Sequence, residues 1–159
     1  MTAIELVTSY AIIVGMRDGA AYKRSYRRTL VGRAKVYLSY LAKRCRRKNL
    51  PMTLTQEWIM QKLTAGRCEQ TDIAFNFHSL PNSNRSPWAF SIDRIDPSFG
   101  YTIENSQCVV WAYNAAKGEG TDADVYFMAK CMLGIIPQAE RGELQSMPAS
   151  RKVPKIVIK

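Results

Sequence analysis

FSIDRIDPSFGYTIENSQCVVWAYNAAK, residues 90–117, is the stretch on which the fold turns. Phe90, Ser91, Ile92 and Asp93 alternate apolar and polar as a half-buried strand does, and Asp96-Pro97-Ser98-Phe99-Gly100 carries turn chemistry. Cys108, Val109, Val110 and Trp111 form a short run of β-branched and aromatic type. From Ala112 to Lys117 the residues are good helix formers, stopped by Gly118. The predicted order is strand, loop, strand, helix. It places Asp93 near the end of the first strand and Asn114 on the helix, where a tight β-β-α unit brings a carboxylate and an amide oxygen together. Two hard oxygen ligands suit Mg²⁺, which takes few protein groups and fills its other positions with water and phosphate.

Asp93-Arg94-Ile95-Asp96, Gly100-Tyr101, Asn105 and Asn114-x-x-Lys117, in that order, resemble the HNH branch of the His-Me finger (ββα-metal) endonucleases, in forms common in phages and bacteria. The resemblance extends upstream through Gly66-x-Cys68-x-x-Thr71 and the helix start Leu54-Thr55-x-Glu57-Trp58-Ile59, and so covers residues 31–117. It implies that Asp93 and Asn114 bind a catalytic Mg²⁺ or Mn²⁺, that Asn105 braces the loop between the strands, and that Lys117 lies near a phosphate. The family's general-base histidine follows the metal aspartate; here that position is Arg94. A guanidinium stays protonated and cannot take a proton from water. Two arrangements compensate for that loss: His78, the sole histidine, acts as base from its long loop, or water is activated without a protein base while Arg94 steadies the phosphorane-like charge. Asp72 stands where relatives often carry glycine, which bears on the conformation of that turn.

A chain of 159 residues with a formal net charge of +10 supports one respectable core and argues for a polyanionic partner. Cys45, Cys68, Cys108 and Cys131 lie far apart with no C-x-x-C pair, so a structural zinc is not expected, and with no signal peptide in view the expectation is reduced, mostly buried cysteines in a cytoplasmic protein. The apolar segment at residues 4–14 is too short to span a membrane and is expected to pack as a helix or serve as an interaction segment.

Residues 19–50 hold Arg33, Lys35, Arg44, Arg46, Arg47 and Lys48 among their basic groups, and no acid. Val31, Ala34, Leu38, Leu41, Ala42 and Cys45 recur at helical spacing, giving an apolar face with the charges elsewhere around the helix. Uncompensated positive density is relieved by a polyanion, so Arg33, Lys35, Arg44, Arg46, Arg47 and Lys48 are the expected nucleic-acid contacts, duplex DNA the expected partner, and a membrane-surface helix the minor alternative. The interleaved tyrosines are expected at the core margin.

Thr55 and Thr121 each begin a further helix, the second with Val125, Met128, Ala129, Met132 and Leu133 as its apolar, core-filling face. The expected organisation is an apolar segment at 1–20, a basic helical region at 21–66, an HNH-like ββα core with a C-terminal helix at 67–134, and a basic disordered tail at 135–159. The fold class is α+β, mainly helical, around a small ββα-metal unit. The expected function is metal-dependent hydrolysis of DNA phosphodiesters; the alternative is a nuclease-derived DNA-binding or host-interaction protein that no longer cuts. Oligomeric state is not encoded in any feature of the sequence.

Overall fold

A computed structural model of the chain describes residues 19–78 and 86–137. The N-terminal segment, residues 79–85 of the polar loop and the tail beyond residue 137 lie outside the described residues. Helices α1 (Gly19–Tyr26), α2 (Leu30–Lys48) and α3 (Gln56–Ala65) precede strands β1 (Phe90–Arg94) and β2 (Ser106–Val110), and α4 (Trp111–Lys117) and α5 (Asp122–Met132) follow. The architecture is α+β and mainly helical, around one antiparallel hairpin in which Phe90 pairs with Val110 and Arg94 with Ser106.

The basic run read as a single polarised element is two helices. Thr29 has extended backbone, its hydroxyl accepts from Gly32 N at 3.0 Å and donates to Tyr26 O at 2.7 Å, and it thereby caps α2 while closing α1. Asn49, in the left-handed conformation at φ 51°, ends α2. Thr55 caps α3 by accepting from Trp58 N, Leu54 and Ile59 are both buried as a hydrophobic staple, and Gly66 at φ 72° stops the helix. Asp72 adopts φ 56°, a conformation in which aspartate is tolerated and glycine favoured, so the turn keeps the shape that the residue type put in question.

Strand alternation sends Phe90, Ile92 and Arg94 to one face of β1 and Ser91 and Asp93 to the other. Phe90 packs edge-on against Tyr37 of α2 and against Phe75, and Ile92 and Cys108 join Leu41, Cys45, Ile59 and Leu63 in the core. Tyr37 OH also donates to Phe90 O at 3.0 Å. All four cysteines are free thiols and three are buried; burial, with Glu69 nearby, pushes the Cys108 thiol well up, so it is a neutral core group.

The face of α5 expected to fill the core does not. Only Val125 of that set packs against the core, whereas Met132 and Leu133 are 80% and 75% exposed, because α5 is held at its N-terminal end by polar contacts. Among the described residues no helix is long and apolar enough to cross a membrane.

The hairpin loop is pinned to the segment before α3. Tyr101 N donates to Pro51 O and Thr53 N to Tyr101 O, both at 3.0 Å. The contact is so close that a Cβ on Gly100 would lie 2.0 Å from Pro51 O, which is backbone and cannot swing aside. Gly100→Ala should therefore cost about 3 kcal/mol, the upper end for overpacking, read as a lowered urea midpoint with an unchanged m-value.

Candidate functional site

β2 runs into α4 without a connector, Val110 serving as the helix N-cap. Trp111 N donates to Ala89 O and Ala112 N to Pro87 O, which ties the first turn of α4 to the chain entering β1 and lays the helix across the Ser91/Asp93 face. Three residues along a helix rise about 4.5 Å and two along a strand about 6.6 Å, so Asn114 and Lys117 meet Ser91 and Asp93 almost in step.

Asn114 Nδ2 donates to Ser91 Oγ at 2.8 Å and to Ile92 O at 3.4 Å, which fixes the amide with its oxygen free of those contacts. Lys117 Nζ donates to Asp93 Oδ2 and Arg94 O at 2.8 Å and to Ile95 O at 3.0 Å, and lies 3.0 Å from Asp122 Oδ1. Its side chain is 0% exposed and that of Asp93 6%. Gln107, opposite Asp93 in the ladder, uses both amide hydrogens to bridge Asp93 Oδ2 and Asp122 Oδ1 at 3.0 Å. Tyr113 OH donates to Asp122 Oδ1 at 2.8 Å; burial first, and that acceptor second, push its phenol well up, so it remains a donor. Asp93 Oδ1 and Asn114 Oδ1 have no protein donor among the described residues.

The loop from β1 to β2 is organised by Asn105. Its Nδ2 donates to Gly100 O at 2.9 Å and Asp96 O at 3.0 Å, and its Oδ1 accepts from Asp96 N at 2.9 Å. Asp96 in turn accepts from the backbone and hydroxyl of Ser98, and those bonds hold its carboxyl below the usual range.

Arg94 lies on the other face of β1 from Asp93. Its guanidinium, 6% exposed, donates to Pro97 O and Phe99 O, pairs with Glu119 at 3.2 Å and lies over the Tyr101 ring. It is thus a clamp on the loop, with its guanidinium directed away from Asp93. His78 is exposed, its backbone N donating to Asn76 Oδ1. Asn76 in turn pairs with Trp88 O, before β1 begins. No hydrogen bond or ion pair joins His78 to Asp93, Asn114 or Arg94.

The expected nucleic-acid contacts divide. Lys117 is buried on Asp93 instead of facing a phosphate. Arg33 is buried too, donating to Phe77 O and Arg28 O and lying over the Phe77 ring, so it holds the core edge. Arg44 lies 5.8 Å from the Tyr101 centroid and Lys48 3.8 Å from Glu119 Oε1, whereas Lys35, Arg46 and Arg47 are exposed. Gln107, Asp122 and Glu119 had no place in the sequence reading; the even spacing of Ser91 and Asp93, and the acids just after Lys117, were the available signals.

Among the described residues no three His, Cys, Asp or Glu side chains form a metal-binding group. The two donor-free oxygens of Asp93 and Asn114 nonetheless suit a hard cation that keeps most of its water. Two carboxylates, Asp93 and Asp122, against one ammonium leave the cluster with a negative balance, which also favours a cation.

No family model and no curated protein matches the chain. Among solved structures, that of the rare-cutting HNH restriction endonuclease PacI is similar with a TM-score of 0.49 and 14% identity, over 69% of this chain and 81% of that one.

Removing the ammonium leaves buried Asp93 and partly exposed Asp122 without their cation. Lys117→Met should cost about 3–5 kcal/mol in urea unfolding, and adding Asp93→Asn should recover part of that loss, because what is restored is charge balance and not packing.

Proposed function

We propose that the chain is a metal-dependent DNA endonuclease that hydrolyses phosphodiester bonds, with Asp93 and Asn114 holding one Mg²⁺ or Mn²⁺. The observation that carries this reading is the pair of hard oxygens, Asp93 Oδ1 and Asn114 Oδ1, which accept no hydrogen bond among the described residues and stand on adjoining elements of the ββα unit. A divalent cation bound there would supply stabilisation of the charge that develops on the phosphate and leaving oxygen. The chain's own residues set the geometry: Ser91 orients the Asn114 amide, Lys117 and Gln107 immobilise Asp93, and Asn105 with Arg94 hold the loop beyond it. Exposed Lys35, Arg46 and Arg47 on α2 supply phosphate contacts to duplex DNA. Neither His78 nor Arg94 takes the attacking water's proton, so the water is activated without a protein base from either.

A second reading is a DNA-binding protein that keeps this fold without cutting. It is favoured by the same placement of Arg94 and His78, since a positioned general base is worth roughly 10²–10⁴ in rate and neither residue sits at the pair.

Incubation of supercoiled plasmid with the full chain separates the two. The nuclease reading expects nicked or linear product with Mg²⁺ or Mn²⁺ and none in excess chelator. Asp93→Asn and Asn114→Ala should lower the rate at least about a hundredfold, while His78→Ala stays within about twofold of wild type. Cleavage that persists in chelator contradicts the metal assignment, and salt-sensitive binding with no cleavage under any divalent ion leaves the second reading standing.

A further inference from the structure

Away from the ββα unit, α1 and residues 32–43 of α2 flank a groove of about 400 Å³ lined by Tyr22, Tyr26, Tyr40, Lys23, Lys35 and Lys43, together with Arg27 and Gly32. No acidic side chain lines it, and none of its four cations pairs with a carboxylate among the described residues. The expectation that the tyrosines close the core margin holds for Tyr37, which packs on Phe90, but Tyr22 and Tyr40 are 39% and 45% exposed.

The lining follows from helical spacing. On α1, Tyr22 and Tyr26 form one i,i+4 row, and Lys23 begins the next, continued just past the helix end by Arg27, whose amide donates to Lys23 O; on α2, Lys35 and Lys43 lie two turns apart on one row and Val36 and Tyr40 on its neighbour. The Tyr22 and Tyr26 rings are stacked with centroids 6.3 Å apart and planes 22° from parallel, presenting aromatic faces beside a line of cations. Lys35 to Lys43 spans roughly 12 Å along the helix.

The corner between the helices is rigid. Thr29 is bonded twice to Tyr26 O, and a Cβ on Gly32 would lie 1.9 Å from that same oxygen, so glycine lets the two backbones meet and holds the two tyrosine-bearing helices at a set angle. A preformed groove of this kind loses little freedom when it is filled.

We infer that the α1–α2 groove binds unpaired nucleotides of a nucleic-acid strand, bases stacking on Tyr22, Tyr26 and Tyr40 while Lys23, Arg27, Lys35 and Lys43 neutralise the phosphates. Duplex DNA hides its base faces and meets only the cations; a single strand meets both. The inference stands apart from cleavage, because it needs neither Asp93 nor a metal.

The test is fluorescence anisotropy of the full chain with a labelled oligo(dT) strand and a duplex of equal length, in chelator so that cleavage plays no part. Tyr22→Ala with Tyr40→Ala should weaken strand binding about tenfold or more, leave duplex binding within about twofold, and leave the salt slope unchanged. Tyr22→Phe with Tyr40→Phe should bind as wild type, and Lys35→Gln with Lys43→Gln should flatten the salt slope by roughly 0.7 per lost contact on the strand. Wild-type strand affinity in the alanine pair, or equal weakening on strand and duplex, overturns the inference. Ultraviolet crosslinking of the unaltered chain to bromouracil-substituted strand gives a second reading that needs no variant. Adducts on Tyr22, Tyr26 or Tyr40 support the groove, and adducts confined to other segments refute it.

Discussion

One ammonium, that of Lys117, sits with its side chain wholly out of water and gathers oxygens from four places: Asp93 on β1, the carbonyls of Arg94 and Ile95 where the strand ends, and Asp122 at the start of α5. A charge in that position is tolerable only if it is paired and hydrogen-bonded, and the buried Asp93 carboxylate in turn depends on Lys117 as its counter-charge. The mutual requirement sets how far α4 runs along the hairpin, where the first strand must stop and where α5 must begin. It also explains why Gln107 spends both amide hydrogens on Asp93 and Asp122 while its own oxygen accepts from Gln70.

That cluster turns a flexible carboxylate into a fixed one. With Asp93 Oδ2 held by two donors, Oδ1 is left with a defined direction, and the Ser91 contact does the same for Asn114. On the opposite face Arg94 draws together Pro97, Phe99, Glu119 and the Tyr101 ring, and Arg44 and Lys48 of α2 converge on the last two. The basic helix and the loop of the ββα unit are therefore joined through Tyr101 and Glu119, so a polyanion bound along α2 would lie against the element that carries Asp93.

Period and punctuation made much of this legible in the chain. The alternation at residues 90–93, the apolar run at 108–111 and the helix formers before Gly118 correspond to β1, β2 and α4, and Asn49, Thr55, Gly66 and Thr121 mark helix ends where capping chemistry places them. The break at Thr29 leaves little signal in the sequence, because its flanks are equally basic and carry no Pro or Gly stop. The site was legible in its members and not in their directions. Asp93, Asn114 and Lys117 meet as their spacing requires, but whether a lysine faces a phosphate or an aspartate, and which side of a strand an arginine clamps, depends on residues far off in sequence such as Asp122, Glu119 and Tyr101. Arg33 shows the same limit: a cation among cations by composition, it is buried by the Phe77 carbonyl and ring that fold back over it.

Metal-dependent cleavage by this chain requires Asp93 and Asn114 to act jointly as ligands to a divalent ion, and Mn²⁺ titration followed by electron paramagnetic resonance, on the full chain without DNA, measures that alone. Wild type should sequester Mn²⁺ at one site, Asp93→Asn and Asn114→Ala should each release it while their circular dichroism stays native, and His78→Ala should bind as wild type does. Equal Mn²⁺ binding by wild type and both site variants would contradict the account.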